Sequence, residues 1–442
     1  MILFDGDTDE VSRIGTREWS ILSAADGTRD LDGIVVAARR LGVRTDTEQV
    51  QAFLDQMVER GLVVGTPEPE SKPAPEAEAP LPDERPVSAL PGYRLSCDRS
   101  GRCCRMYSTI LATEQEAERA RALVPTRSFG GRSTAAFCPV RGSVAGAARV
   151  LPVRDGACGY LDDDGACAIH KAAGLSAKPA GCQLFPATFI DDGQQIRVSV
   201  KTECACVLDS AASSGGDPLV DPAIERADQL PAMVVVGRLA DSLPITEAHH
   251  ESREAVVNWT TQCLAAPQPD DVARACWAMA DGLDPARGGG LDRALERWGE
   301  AAAEPPPDVD AVMPYVEALA KRAAARTRVD TRWRSTKDRV RAVGSWVSMT
   351  MLMLRDAPLL AEVLAAGTDD PQREGFFVQA ALFGYTPLDT RIGSLERGLR
   401  DLAVKIWIAR AMRAMPENDE EPLSALEAWL RAYGAWRYIT DV

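Results

Sequence analysis

Basic residues are in short supply in this chain of 442 residues, which has 65 aspartates and glutamates against 50 lysines and arginines. The formal net charge is −15. Binding to DNA or RNA without regard to sequence requires a basic surface that can neutralise phosphates. The composition therefore argues against nucleic acid as a partner.

Long apolar runs are also missing. The longest apolar stretch lies near Val343–Leu354, well short of the about 20 residues that a membrane-spanning helix needs. The opening MILFDGDTDE is acidic and lacks the positively charged start and apolar run of a signal peptide. We expect no membrane partner and a cytoplasmic location.

Several familiar functional motifs are absent. The glycines at 288–290 lack the strand–GxGxxG–helix context of a dinucleotide site. The acidic run at 162–164 lacks the spaced carboxylates and the terminal glutamate of a calcium loop, and reads as a turn. No Ser-His-Asp arrangement of a hydrolase is visible. Nucleotide binding, calcium binding and hydrolysis are therefore not supported.

Cysteines, in contrast, are plentiful and clustered. Nine of the eleven fall within one quarter of the chain: Cys97, Cys103, Cys104, Cys138, Cys158, Cys167, Cys182, Cys204 and Cys206. Only Cys263 and Cys276 lie elsewhere. Reducing cytosol disfavours disulfides, so a cluster there indicates metal or redox chemistry. The spacings are longer and less regular than the compact pairs of a zinc finger, which favours ligands gathered from separated loops.

Three segments in this region match one family in order and spacing. They read 97-CDRSGRCC-104, 158-CGYLDDDGACAIH-170 and 178-KPAGCQLFP-186. From Ser96 to Val207 the chain resembles the zinc- or iron-chelating cysteine-cluster family often called YkgJ-like, which includes the flagellin lysine N-methylases. The resemblance implies the following metal ligands: Cys97, Cys103, Cys104, Cys158, Cys167, Cys182 and Cys204.

The chain departs from the family pattern at some positions. Ser100 stands where the family has a second cysteine in its opening motif, and Cys138 or Cys206 could supply the missing thiol. His170 replaces a frequent tyrosine; we interpret it as a structural or outer-shell residue rather than as a ligand. The ligand set is thus expected to be one thiol smaller than usual or to be completed from elsewhere in the chain.

Soft thiolate ligands favour zinc or iron–sulfur clusters over hard cations. The resemblance implies an iron–sulfur cluster of the 4Fe–4S type or zinc, together with S-adenosylmethionine as methyl donor. The implied activity is methyl transfer to the lysine amine of a peptide or protein. The alternative is a non-enzymatic protein that stores, delivers or senses iron or zinc, or that assists peptide maturation. The sequence identifies no catalytic residue.

Residues 1–65 form the first predicted domain. Apolar residues at helical spacing predict helices in 16-TREWSILSAADG-27 and after Leu31, and 45-TDTE-48 predicts a capping box for a third helix. Its buried stripe is expected to contain Val50, Phe53, Leu54, Met57 and Val58. With a short strand at Leu62–Val64, this stretch resembles the PqqD-like winged-helix fold, which implies recognition of a substrate peptide. DNA binding and dimerisation are the alternatives.

The rest of the chain is predicted as three regions. Residues 66–91, rich in proline and glutamate, are typical of an extended linker. Residues 92–210 form the cysteine-cluster domain, with a capping box at 113-TEQE-116 and a strand at 195-QIRVSV-200 whose alternate residues are buried. Residues 211–442 are expected to be helical, with Leu395, Leu399, Leu402 and Ile406 on one face. The predicted fold class is mainly α.

Overall fold

A computed structural model divides the chain into two compact units, Met1–Ala79 and Pro80–Val442. In the first unit it describes residues 2–4, 11–13, 21–22, 25, 30–40 and 45–59. In the second it describes residues 84–98, 101, 104, 109–125, 128–129, 132–133, 137–144, 147–154, 157–213, 215–231, 234, 236–301, 305–329, 357–388, 392–413 and 422–430.

The protein is mainly α-helical, as the sequence predicts, with small sheets. The strands are β1 (Ile2–Phe4), β2 (Val11–Arg13), β3 (Val87–Ala89), β4 (Thr109–Ala112), β5 (Ser128–Phe129), β6 (Arg132–Ser133), β7 (Cys138–Val144), β8 (Ala147–Arg154), β9 (Ala157–Cys158), β10 (Ala187–Asp191), β11 (Ile196–Val200), β12 (Val236–Arg238), β13 (Ser242–Pro244) and β14 (His250–Ser252). The helices are α1 (Leu31–Arg40), α2 (Thr47–Glu59), α3 (Glu114–Leu123), α4 (Ala168–Ala173), α5 (Ala180–Leu184), α6 (Ala205–Ala211), α7 (Arg253–Ala265), α8 (Val272–Gly282), α9 (Leu291–Glu300), α10 (Val309–Val329), α11 (Ala357–Ala365), α12 (Pro371–Phe383), α13 (Leu395–Arg413) and α14 (Pro422–Leu430).

The first unit contains the hairpin β1–β2 and a small core around α1 and α2. The cap of α2 differs from the predicted one: the side chain of Asp46, not Thr45, accepts the hydrogen bond from the backbone N–H of Gln49. The predicted stripe of α2 is also too wide, because Val50 and Met57 are buried whereas Val58 is 41% exposed. The predicted strand at Leu62–Val64 lies outside the described residues.

A four-stranded mixed sheet forms the centre of the second unit. Its order is β12–β10–β11–β3, with β10 and β11 antiparallel and the two outer strands parallel to their neighbours. Strand β3 comes from the end of the predicted linker, so residues 84–91 do not continue an extended spacer. Leu90 is 2% exposed and hydrogen-bonds the backbone of β11, which fixes this part of the chain in the core.

Strand β11 is buried on both faces, although its alternation predicts one buried face. Ser199 points toward α12 and donates a hydrogen bond of 2.8 Å to the carbonyl of Ala380. Arg197 pairs with Asp192 at 2.8 Å and lies over the ring of Tyr385. Arg197 and Ser199 can therefore be buried on the second face of β11, because other parts of the chain supply partners for their polar groups.

The two regions predicted as 92–210 and 211–442 share one core within the second compact unit. Tyr93 stacks on Phe376 of α12 with ring centroids 4.8 Å apart. The predicted boundary near residue 210 therefore does not coincide with a division between compact units.

A second sheet, β4–β8–β7 with β9 alongside β8, carries part of the cysteine region. Helix α3 packs beside it and begins with the predicted capping box: Thr113 accepts from the N–H of Glu116, and the Glu116 carboxylate accepts from the N–H of Thr113. A separate apolar cluster that includes Phe137, Tyr160 and Ile169 lies here.

The C-terminal helices pack around α13, which is buried on nearly all sides rather than on one face. Phe376 and Phe377 belong to this core. In the described part of the chain, no helix combines the length and apolarity needed to cross a membrane.

Candidate metal centre

The side chains of Cys97, Asp98 and Cys206 come together at one point of the second unit. Their thiol sulfurs and a carboxylate oxygen all lie within 4.8 Å of one another. The Cys206 thiol donates a hydrogen bond of 3.2 Å to Oδ1 of Asp98, whose own backbone N–H points at the Cys206 Sγ at 3.4 Å. Cys97 and Asp98 are exposed and Cys206 is buried, so the group is open to solvent on one side.

The chain before Cys97 is fastened to α6 and the loop that follows it. Tyr93 donates its hydroxyl to the carbonyl of Val207 at 3.2 Å. Leu95 and Asp217 exchange both backbone hydrogen bonds, at 2.8 and 2.9 Å. At Gly216 the backbone has φ of +110°, and a Cβ there would overlap the Leu95 carbonyl. These contacts of the chain before Cys97 with α6 and with the loop after it hold Cys97 beside Cys206.

A third thiol, Cys204, borders this group. The hydrogen bond between Cys206 and Cys204 raises the pKa of Cys206 to about 12, and burial acts in the same direction, while a hydrogen bond from Cys97 lowers it. Tyr93 lies on the same side: burial raises its pKa, and the charges that Cys204 and Cys206 carry as thiolates raise it further. Three thiols from two distant segments thus share one environment.

This donor set suits a thiophilic metal. Thiolate sulfur is the preferred ligand of zinc and of iron–sulfur clusters, and a carboxylate oxygen is a further ligand that zinc accepts. Two sulfur donors and one oxygen donor lie around one point, with Cys204 next to them, and these are ligand types that such a centre uses. The residues present therefore fit a bound metal.

Cys158 and Cys167 belong to a neighbouring part of the second unit. Both are partly buried against the apolar cluster of Tyr160 and Ile169. The loop between them is closed by Lys171, which pairs with Asp162 at 3.0 Å, so the acidic run 162–164 forms a turn there. Apart from the group of Cys97, Asp98 and Cys206, no three His, Cys, Asp or Glu side chains in the described ranges approach within 4.8 Å.

The opening cysteine motif contacts this loop through Gly101. Its φ is +69°, and a Cβ at this position would overlap the carbonyl oxygen of Gly165 and the side chain of Leu161. Only glycine permits this approach. The segment that carries Cys97 and Cys104 is thereby packed against the loop that carries Cys158 and Cys167.

Cys182 lies on the short helix α5 and is partly buried. Glu116 anchors this helix, because its second carboxylate oxygen accepts a hydrogen bond of 2.7 Å from the N–H of Ala180. His170 is on α4, one turn after Cys167, and also partly buried. Neither residue joins the group of Cys97, Asp98 and Cys206.

Four positions of the sequence prediction cannot be placed in the site. Cys103 and Ser100 lie outside the described residues, and Cys138 is described only in its backbone, on β7. Cys104 is described and partly buried, and it joins no group of three ligand side chains among the residues that the structure describes. Their roles as ligands remain predictions from the resemblance.

Sequence reasoning missed Asp98 altogether and treated Cys206 only as a substitute. The signal for Asp98 is its place directly after the first cysteine of the motif, from which its carboxylate can reach that thiol. Cys206 is two residues beyond Cys204. Its closeness to Cys97 depends on a contact between residues 108 positions apart, which spacing does not reveal.

Thiol accessibility distinguishes the site from the structural cysteines. Burial raises the pKa of Cys263 to about 12 and also raises that of Cys276. A pKa near 12 lowers the thiolate fraction at neutral pH by roughly a thousandfold relative to an ordinary cysteine. In metal-free native protein we expect iodoacetamide to modify Cys97 long before Cys263 or Cys276, as followed by mass spectrometry.

Added zinc is expected to protect Cys97 from iodoacetamide and to leave the slow modification of Cys263 unchanged. Equal rates at Cys97 and Cys263 in the native protein would contradict this assignment of exposed and buried thiols.

Comparison of the chain with protein-family models, with curated protein sequences and with solved structures gives no match.

Proposed function

We propose that this protein is a metalloprotein with a cysteine-ligated centre, an iron–sulfur cluster of the 4Fe–4S type in the first instance, that modifies a peptide or protein substrate. The observation that carries the proposal is the convergence of Cys97, Asp98 and Cys206 within 4.8 Å, with Cys204 hydrogen-bonded to Cys206. The modification that the resemblance suggests is methylation of a lysine amine, with S-adenosylmethionine as donor.

Within this proposal, Cys97, Cys204 and Cys206 hold the metal, and Asp98 either ligates it or accepts hydrogen bonds beside it. The other cysteines of the resemblance are Cys103, Cys104, Cys158, Cys167 and Cys182, which would belong to the same centre or to a second one. When bound, an iron–sulfur cluster supplies one-electron chemistry. A lysine amine must be neutral to attack a methyl group, and its proton requires a base that remains to be assigned.

The first unit is proposed to hold the substrate peptide, as its resemblance to PqqD-like domains suggests. Strand addition to an exposed sheet edge is the recognition mode of such modules. The short hairpin β1–β2 offers such edges.

A non-enzymatic role in storing, delivering or sensing iron or zinc is the second candidate. Two cavities, of about 700 and 660 Å³, lie in the described part of the second unit. Their linings come from the region after residue 245 and include none of Cys97, Asp98 or Cys206. Neither of these two cavities therefore supplies a substrate pocket beside the metal group, and this is the observation in favour of binding alone.

Metal content tests the centre. Protein purified without oxygen is expected to contain iron and acid-labile sulfide and to show the broad visible absorption of an iron–sulfur cluster. Stoichiometric zinc without sulfide in a colourless protein would contradict the cluster and retain the thiolate site. Protein that binds neither iron nor zinc after reconstitution would contradict the proposed function itself.

The same preparation tests catalysis. With labelled S-adenosylmethionine and candidate peptides containing lysine, label is expected in the peptide and not in a peptide whose lysines are replaced by arginine. Protein with an intact metal centre and no label transfer would leave the non-enzymatic function as the better account.

A further inference from the structure

The hydroxyl of Ser210 connects the two segments that carry Cys97 and Cys206. It accepts a hydrogen bond of 2.9 Å from the backbone N–H of Ser96, the residue immediately before Cys97. It also lies 2.6 Å from the backbone carbonyl of Cys206, one helical turn earlier on α6. Ser210 is 3% exposed, so water does not compete for these contacts.

A serine hydroxyl has a single hydrogen to donate and lone pairs to accept. The short distance to the Cys206 carbonyl assigns that hydrogen to Cys206, and the N–H of Ser96 then uses a lone pair of the same oxygen. One atom therefore ties the backbone of one candidate ligand to the residue next to the other, across 114 positions of sequence.

Ordinary back-bonding of a helical serine needs only the carbonyl four residues earlier. The hydrogen bond from the N–H of Ser96 is an additional contact that such back-bonding does not require. The alkyl part of a serine could fill the same space without tying the Cys97 segment to α6. The hydrogen bond from the N–H of Ser96 is thus the contact through which Ser210 affects the distance between the Cys97 and Cys206 thiols.

We propose that Ser210 is a positioning residue of the metal centre, whose hydroxyl fixes the separation of the Cys97 and Cys206 thiols and thereby sets the affinity for the metal. The inference rests on the proposed metal-binding function. Ligand atoms must be placed to within about 0.5 Å for tight binding, and hydrogen bonds that orient ligands raise metal affinity by typically 10–100-fold.

The test compares Ser210→Ala, Ser210→Thr and Ser213→Ala. The control hydroxyl of Ser213 donates to the Ser210 carbonyl at 3.1 Å, a bond that involves neither Ser96 nor Cys206. Zinc affinity is measured by competition with a chromophoric chelator, and the visible spectrum of the cobalt-substituted protein reports the ligand geometry. Ser210→Ala is expected to bind zinc about 10–100-fold more weakly with a changed cobalt spectrum, while Ser210→Thr and Ser213→Ala resemble the parent.

Thermal unfolding of the metal-free variants separates positioning from general stability. Weaker zinc binding by Ser210→Ala at a temperature at which both apoproteins are folded supports the inference. If Ser210→Ala does not fold, Ser210→Val replaces it and is compared with Ser210→Thr, which has nearly the same shape and keeps the hydroxyl.

Equal zinc affinity and an unchanged cobalt spectrum in Ser210→Ala, or in Ser210→Val where it stands in, would overturn the role of Ser210. A parent protein that binds neither zinc nor cobalt would instead contradict the proposed function. The two failures are therefore distinguishable.

Discussion

Replacement of Cys206 by alanine is expected to remove the metal from the centre. Cys206 contributes the buried thiol of the group, and its sulfur contacts both the carboxylate and the backbone N–H of Asp98. Its loss takes away one direct ligand and one hydrogen-bond partner of a second. Outer-shell changes already cost about 10–100-fold in metal affinity, so a direct ligand is expected to cost more than about 100-fold.

Metal content after anaerobic reconstitution, and zinc affinity by chelator competition, measure the effect. Cys276→Ala is the matched control, because this thiol is buried on α8 and is not part of the group of Cys97, Asp98 and Cys206. Cys182→Ala extends the test to the ligands that the resemblance implies, and it too is expected to lose metal. Full metal content in Cys206→Ala would exclude Cys206 as a ligand and with it the arrangement that we describe.

The location of the site in the chain could be predicted from the sequence, but its composition could not. Clustering of the cysteines and the motif CDRSGRCC identify the region and include Cys97 and Cys204. The pairing of Cys97 with Cys206 depends on the bonds of Leu95 to Asp217 and of Ser96 to Ser210. Such long-range backbone bonds leave no periodic signal, so Asp98 and Cys206 emerge only from the folded chain.

The helix caps also include one that the sequence predicts correctly and one that it does not. The capping box at Thr113 and Glu116 is predicted correctly because both halves of the motif lie within one turn. At α2 a similar pattern misleads, since Asp46 follows Thr45 directly and an aspartate caps a helix as well as a threonine does. At α2 two adjacent residues, Thr45 and Asp46, can each act as the N-cap, and the motif alone does not show which one does.

Burial is harder to predict where charged residues have partners in distant elements. Helix α13 carries enough charge to suggest one exposed face, yet Lys405 is 5% exposed and pairs with Glu427 of α14 at 2.6 Å. In the same helix, Arg410 is 7% exposed. Periodicity finds the apolar side of such a helix and misses the polar side that other helices cover.

Arg410 lies at the centre of a buried ionic cluster that joins three helices. Its guanidinium binds Glu374 of α12 at 2.7 Å and Asp271, the N-cap residue of α8, at 2.9 Å. Burial alone would lower the pKa of Arg410, but the hydrogen bonds that its guanidinium donates to Glu374 and Asp271 outweigh burial and raise the pKa. Glu374 is fully buried and has a second partner in Arg413, at 2.9 Å.

Replacement of Arg410 by methionine is expected to lower the free energy of unfolding by about 3–5 kcal/mol, the usual cost of removing one partner from a buried ion pair. The substitution keeps most of the apolar volume, but it leaves Glu374 with Arg413 alone and Asp271 without its ion pair to Arg410. Chemical denaturation followed by tryptophan fluorescence measures the loss, since Trp407 is buried on the same helix.

Arg293→Met is the matched control, because Arg293 pairs with Glu296 at the surface of α9 and its removal is expected to leave the denaturation midpoint unchanged. A loss in Arg410→Met no larger than in this control would show that the cluster adds nothing to stability beyond the packing of its alkyl chains.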